Sequence, residues 1–328
     1  MKRARSCRHL AVMRRLLLMT AALFILTDAT AAEGAQRGFS FRSKDVVVFT
    51  GGANVVAEQE HGYLEVLLNA GRPDLNLRFR NLGWEGDTVY EQRRDLNFGP
   101  WAQQFRKAGA TVILAQFGQM ESLQGRASLP RFVYAYEKLL DEFSKRTERI
   151  VLVSPFPFEK APPPLPDLSP RNDDLQEFVD AIGRIAQQRG WFFVDLLHPL
   201  RRSATDYPLT TNGVQLTAHG QWLIACELSK QLGFEMPPKA VRFDSRTGAV
   251  APASAERLRQ SVLAKNRLWF DYWRPMNWAF LAGDRTEQPS SHDHRDPQVR
   301  WFPGEMEKFI PLIEAKEREI GDLARRFP

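Results

Sequence analysis

Cysteine is almost absent from this chain of 328 residues, which holds only Cys7 and Cys226. Cys7 falls in a segment that reads as a removable leader. Cys226 is then alone, and no intramolecular disulfide is expected. No Cys pair or His cluster has the spacing of a structural zinc site, and no Cys-x-x-Cys-His occurs, so covalent c-type haem is not expected. No metal and no cofactor is expected. Long hydrophobic runs are also missing, with one exception. "LLLMTAALFIL", Leu16 to Leu26, is too short to span a bilayer comfortably. Arg14 and Arg15 precede it and "DATAA" follows it, which is the pattern of a signal peptide over residues 1–32. A secreted or periplasmic protein without a transmembrane anchor is the expectation. Net charge is scarce once the leader is set aside. Residues 1–31 carry six basic side chains against Asp28, so +5 of the chain's +6 lies there and about +1 remains. That excludes a basic footprint for nucleic acid. Internal repeats are absent.

The chain does contain a steady alternation from residue 45 to about 232. "DVVVFT", "LNLRFRNLG", "ATVILAQFG", "RIVLVSP" and "WFFVDLL" read as strands. Between them lie helical patterns. One is expected to run unbroken through "VVAEQEHGYLEVLLNAG". In "LPRFVYAYEKLLDEFSKRT", Phe132, Tyr136, Leu139, Leu140 and Phe143 share a face. "NDDLQEFVDAIGRIAQQRG" has Asn172 or Asp173 as a plausible cap, and "LTAHGQWLIACELSKQLG" closes the series. Strands separated by such helices imply right-handed crossovers and a parallel sheet with helices on both faces. The rhythm changes after Gly233. Residues 234–328 read as a linker, a helix rich in Trp up to Pro275, a polar stretch, and a charged helix interrupted at Pro311. Packing of Trp269, Phe270, Trp273 and Trp278 on the α/β part is one expectation. A protein or sugar partner docking through residues 265–280 is the other.

In an open parallel sheet, ligands bind outside the carboxyl ends of the strands. Four loops fall there: "TGGAN" after the first strand, "NLGWEGDT" after the second, "FGQMES" after the third, and "TTNGVQLTAHG" before the closing helix. In this order they resemble the four blocks of the SGNH, or GDSL, hydrolase superfamily over residues 44–233. The resemblance implies a flavodoxin-like three-layer sandwich with a five-stranded parallel sheet, here with a C-terminal helical extension. It also implies esterase chemistry from a Ser nucleophile, a backbone N–H and an Asn as oxyanion donors, and an Asp–His pair.

Carried over by position, Ala53 stands where the Ser belongs, Gly83 where the donor glycine belongs, and Met120 where the Asn belongs. Asn212 and Gln215 replace the Asp and His. Every reactive side chain is missing while the loop glycines remain. Losing a Ser or His of such a triad costs roughly 10⁶-fold in turnover. The reading is therefore a non-catalytic homologue that binds a carbohydrate or acylated glycan in the former esterase cleft. Gly52, Asn54, Trp84, Glu85, Glu121 and His219 are the candidate ligand contacts. The rival readings are an esterase working through relocated residues and a scaffold acting through the Trp-rich tail.

Overall fold

In the computed structural model, residues 38–202, 207–234 and 241–327 are described. The expected signal peptide lies outside them. Among the described residues no helix is long and apolar enough to cross a membrane.

The five expected strands form one parallel sheet: β1 (Val46–Gly51), β2 (Arg78–Asn81), β3 (Val112–Gln116), β4 (Ile150–Val153) and β5 (Phe192–Val194). Their order is β2-β1-β3-β4-β5, so the chain reverses direction across the sheet beside β1. The switch puts the loops after β1 and β3 side by side. The apolar runs are continuous because both faces are covered. Successive residues take opposite sides. Val47 and Phe49 of β1, Leu114 of β3 and Val151 of β4 join one core cluster, while Val48, Ile113 and Leu152 join the other.

The helices are α1 (Ala53–Glu58), α2 (Tyr63–Gly71), α3 (Trp101–Ala108), α4 (Gln119–Ser122), α5 (Leu129–Ser144), α6 (Asn172–Arg189), α7 (Leu197–Arg202) and α8 (Ala218–Gln231). Two expectations fail locally. The helix expected to run from Val55 to Gly71 is broken, because Gly62 takes a left-handed φ of 65° between α1 and α2. A Cβ there would also sit 2.7 Å from Val262 of the extension, so the break admits a close approach. Asn172 does not cap α6. Its Oδ1 accepts from Phe158 N at 2.8 Å and its Nδ2 donates to Phe158 O at 2.8 Å, which clips the preceding loop to the helix.

After Phe234 the chain forms a hairpin of β6 (Arg242–Phe243) and β7 (Val250–Ala251). Then come α9 (Ala253–Trp273), α10 (Trp278–Leu281), α11 (Trp301–Glu307) and α12 (Phe309–Arg325). The expected break at Pro311 falls instead at Lys308, and Pro311 occupies the first turn of α12, where its missing N–H costs no intrahelical hydrogen bond. The extension packs against the sheet domain, and both belong to one compact unit, Gly38–Pro328. Trp269 and Trp273 are buried in the second core cluster. Leu258 and Val262 of α9 meet Val66 of α2 and Ile320 of α12 in a third. Lys265 is 1% exposed and donates to Glu65 Oε2 at 2.6 Å, Phe79 O at 3.1 Å and Asn266 Oδ1 at 2.7 Å.

Candidate functional site

A cleft of about 500 Å³ opens at the carboxyl edge of the sheet. The turn after β1 supplies Gly52, Ala53 and Asn54, the loop after β2 supplies Glu85 to Thr88, and β3 with its following turn supplies Gln116 to Glu121. Pro155 and Phe156 follow β4, and Asn212, Val214 and Gln215 come from the loop before α8.

Asn54 is the residue that joins the first and last of these segments. Its Nδ2 donates to Val214 O at 3.0 Å and its Oδ1 accepts from Leu216 N at 2.9 Å. Gln221 Nε2 in turn donates to Asn54 O at 3.0 Å. Both polar ends of the Asn54 amide are therefore engaged in holding the wall together. The last loop has its own local device. Asn212 Oδ1 accepts from Val214 N at 3.1 Å and Gln215 N at 2.7 Å, a side-chain-closed turn. Its Nδ2 reaches Gln215 Oε1 at 3.3 Å. Thr217 then caps α8, accepting from Gly220 N at 3.0 Å.

Ala53, Met120, Asn212 and Gln215 all line the cleft. Met120 is 52% exposed and lies on its open surface. Gly83 does not line it. Its N–H, which the resemblance makes an oxyanion donor, donates instead to Asn81 Oδ1 at 2.8 Å. A Cβ on Gly83 would meet Val55 and the Val56 backbone at 3.0–3.1 Å, so the glycine serves the close packing of α1 on the β2 loop. The cleft-facing glycine of that block is Gly86, exposed and three residues further on. The motif contained both glycines, and only the loop's path separates their roles.

The acidic candidates are committed elsewhere. Glu121 is 3% exposed and accepts from Val89 N at 2.8 Å and Gly118 N at 3.0 Å. Burial raises its carboxyl above the usual range, and those backbone N–H groups oppose the rise. Asp87 is gripped by Arg94 through two bonds of 2.6 and 2.7 Å. Glu85 pairs with Arg274 at 2.7 Å. The two arginines carry no motif signal, and Arg274 comes from the extension. Trp84 is not a cleft residue. It packs edge-on against Phe98 and Trp273, with the Arg274 guanidinium 3.7 Å and the Arg94 guanidinium 4.6 Å from its ring centroid. His219 also lies off the cleft, between Tyr207 and Phe243, and neither ring nitrogen makes a hydrogen bond. Burial lowers its pKa. His61 stacks on Tyr63.

The two serines nearest these loops, Ser122 and Ser154, do not line the cleft, whereas Thr88 does. Ser122 is fully buried and donates to Gln119 O at 2.7 Å. Ser154 is fully buried, donates to Pro155 O at 2.8 Å and accepts from Leu196 N at 2.8 Å. Two Asp–His pairs occur among the described residues, Asp195 Oδ2 with His198 Nδ1 at 2.5 Å and Asp293 Oδ1 with His294 Nδ1 at 3.6 Å, but none of these residues lines the cleft. No three His, Cys, Asp or Glu side chains among the described residues come together as a metal site would require.

A parallel sheet in this order, with four loops converging on one cleft, defines the class of α/β hydrolytic folds that the sequence blocks suggested. The chain belongs to the GDSL-like lipase/acylhydrolase family, whose model matches residues 49–223. Among solved structures it is similar to BT4096, a gut microbial diltiazem-metabolizing enzyme, at 15% identity and a TM-score of 0.54. That alignment covers 90% of this chain and 96% of the other, so the likeness in fold takes in the C-terminal extension. A catalytic mutant of Axe2, an acetylxylan esterase from Geobacillus stearothermophilus, is similar at 17% identity, with a TM-score of 0.49 and coverage of 60% and 97%. No curated protein matches the chain.

Proposed function

We propose that the chain is an exported, non-hydrolytic member of this family that binds a neutral carbohydrate or acylated glycan in the cleft. The observation that carries the reading is the set of side chains at the four motif positions. Ala53, Met120, Asn212 and Gln215 line one cleft, and none can act as a nucleophile or general base. The polar cleft residues that remain are uncharged or already paired: Thr88, Gln116, Gln119, Asn212 and Gln215 offer amides and a hydroxyl, while Asp87 and Glu121 are satisfied internally. Amides beside Met120, Phe117 and Phe156 suit the alternating hydroxyl and C–H surface of a sugar. Membership of a lipase/acylhydrolase family motivates the acylated form of the ligand.

The test pairs two measurements on the folded protein. Hydrolysis of an activated acetate ester should stay at background, with no serine labelled by a fluorophosphonate. Titration with neutral oligosaccharides, acetylated and unacetylated, should show saturable binding that Gln215→Ala or Met120→Trp weakens. Stoichiometric serine labelling would overturn the non-hydrolytic reading. Absence of binding across a broad neutral glycan panel would overturn the ligand.

A further inference from the structure

Directly behind the turn that holds Ala53 is a second, smaller cavity of about 50 Å³. It shares Asn54, Val55 and Gln116 with the cleft, so the two spaces meet at the first residues of α1 and the end of β3. Its walls are chiefly apolar, with Leu114, Val153, Ile224, Ala225 and Leu228 from the sheet and α8. One titratable carboxyl faces this apolar space, that of Glu58 at the end of α1. The carboxyl is buried, and Oε1 has no hydrogen-bond partner.

The lack of a partner has a structural cause. The cation facing Glu58 is Lys265 of α9, and an ammonium has three donors. All three are spent, on Glu65, Phe79 O and Asn266. The other charged group facing Glu58 is Glu65 of α2, of like sign. The Leu64 N–H is the backbone donor to the Glu58 carboxyl. The remaining polar groups at the cavity, Asn54, Gln116, Gln221 and Tyr63, are uncharged, and burial pushes the Tyr63 hydroxyl up to about 12. An ionised Glu58 would be stranded here, whereas a protonated one has an O–H without an acceptor.

We propose that this cavity is a short-acyl site: it takes an acetyl- or propionyl-sized group, whose carbonyl accepts a hydrogen bond from the Glu58 carboxyl. The side-chain amides and the Tyr63 hydroxyl at the cavity donate elsewhere, so an apolar pocket with an unpartnered carboxyl oxygen suits an apolar group with a single acceptor. The volume limits the size: a cavity known to hold benzene is larger, at roughly 150 Å³. Burial, reinforced by Glu65 and opposed by Lys265, raises the Glu58 pKa to about 7, so the donor is present in mildly acidic solution and lost in alkaline solution. The proposal rests on the glycan reading only for what carries the acyl group. The pocket itself can be probed without sugar.

The probe is N-methylacetamide, which cannot be consumed by residual esterase activity, compared with its bulkier pivaloyl analogue. Binding is read from NMR shifts of the Leu114, Ile224 and Leu228 methyl groups. The folded protein should bind N-methylacetamide at pH 6 with at least tenfold preference over the pivaloyl analogue, and at least tenfold more weakly at pH 8.5. Glu58→Gln keeps a donor without a titration and should bind equally at both pH values. Ala225→Leu fills the cavity and should bind at least tenfold more weakly at pH 6, with its fold checked by circular dichroism. Absence of methyl shifts, equal binding of the pivaloyl probe, or wild-type binding indifferent to pH would each overturn the proposal. Sugar titrations separate the two readings. Amide binding without sugar binding leaves the pocket standing and removes the glycan. Equal binding of acetylated and plain sugar, with no amide binding, does the reverse.

Discussion

At the level of single residues, the turn after β1 is a structural joint. Ala53 carries no reactive oxygen at the position the proposal equates with the nucleophile, and its neighbour Asn54 ties α1 to the loop before α8. Such a joint fixes the turn of Ala53 relative to the loop that carries Asn212 and Gln215. Asn212 already reaches Gln215 at 3.3 Å, so an Asp and a His at these positions would meet. The variant Ala53→Ser/Asn212→Asp/Gln215→His/Met120→Asn should therefore gain weak but measurable hydrolysis of an activated acetate ester. It should remain far below a natural esterase, because a working site tolerates misplacement of only about 0.5 Å. A well-folded variant without any gain would mean that the cleft has drifted from the old geometry. Glu58 supplies a second prediction. Burial raises its folded pKa to about 7, above the ordinary value of 4.5. The folded state then holds the proton more tightly, so this group's stabilisation is complete below about pH 4.5 and is lost as pH rises through 7. Denaturant titrations of wild type between pH 4.5 and 8 should fall in stability by about 1–3 kcal/mol more than those of Glu58→Gln. Parallel pH profiles would contradict the assignment.

At the level of elements, the clearest dependence is that of α9 on α2. Lys265 and Glu65 are both almost fully buried, with side-chain exposures of 1% and 4%. A buried pair of this kind adds little over a well-packed apolar pair, but breaking it leaves an uncompensated charge. Lys265→Met should cost about 3–5 kcal/mol, read as a fall in Tm and in the denaturant midpoint. The double variant Lys265→Met/Glu65→Leu should recover much of that loss. If the single and double variants are equally unstable, packing rather than charge dominates the contact. The break at Gly62 belongs to the same interface. Periodicity alone favours one continuous helix through this region, yet the close approach of Val262 requires a residue without a side chain and with left-handed backbone.

For the molecule as a whole, the extension completes the core. Trp269 and Trp273 are 3% and 2% exposed and share a cluster with Phe105, Phe143 and other residues of the sheet domain. Trp269 Nε1 donates to Asn81 O at 3.0 Å at the end of β2, and Arg274 neutralises Glu85 at the cleft rim. A chain ending at Ala251 would expose the apolar surface these residues cover. Expressed alone it should be largely insoluble, or bind a hydrophobic dye such as ANS while losing its near-ultraviolet circular dichroism. A soluble, cooperatively unfolding truncation would show instead that the sheet domain is independent. Within residues 265–280, Trp269 and Trp273 are turned inward, whereas Phe270, Tyr272 and Trp278 are half-buried and Met276 is fully exposed.

The strands, their parallel arrangement and the four loops at one edge could be read from residue order alone. Hydrophobic periodicity and glycine placement are local properties, and crossover handedness follows from them. The residue types at the four motif positions, Ala53, Met120, Asn212 and Gln215, were also legible, since they follow from block order alone. Three-dimensional packing was needed to separate Gly83 from Gly86, to place Trp84 and His219 away from the cleft, and to show that Glu121 and Asp87 are already satisfied. Some of these outcomes depend on partners distant in the chain, such as Trp273 and Arg274 for Trp84, as does the pairing of Glu85 with Arg274, whereas Asp87 and Gly83 are held by Arg94 and Asn81 close by. A hydrogen bond or ion pair between residues some 190 positions apart leaves no periodic trace, because only the closed fold brings its two halves within reach.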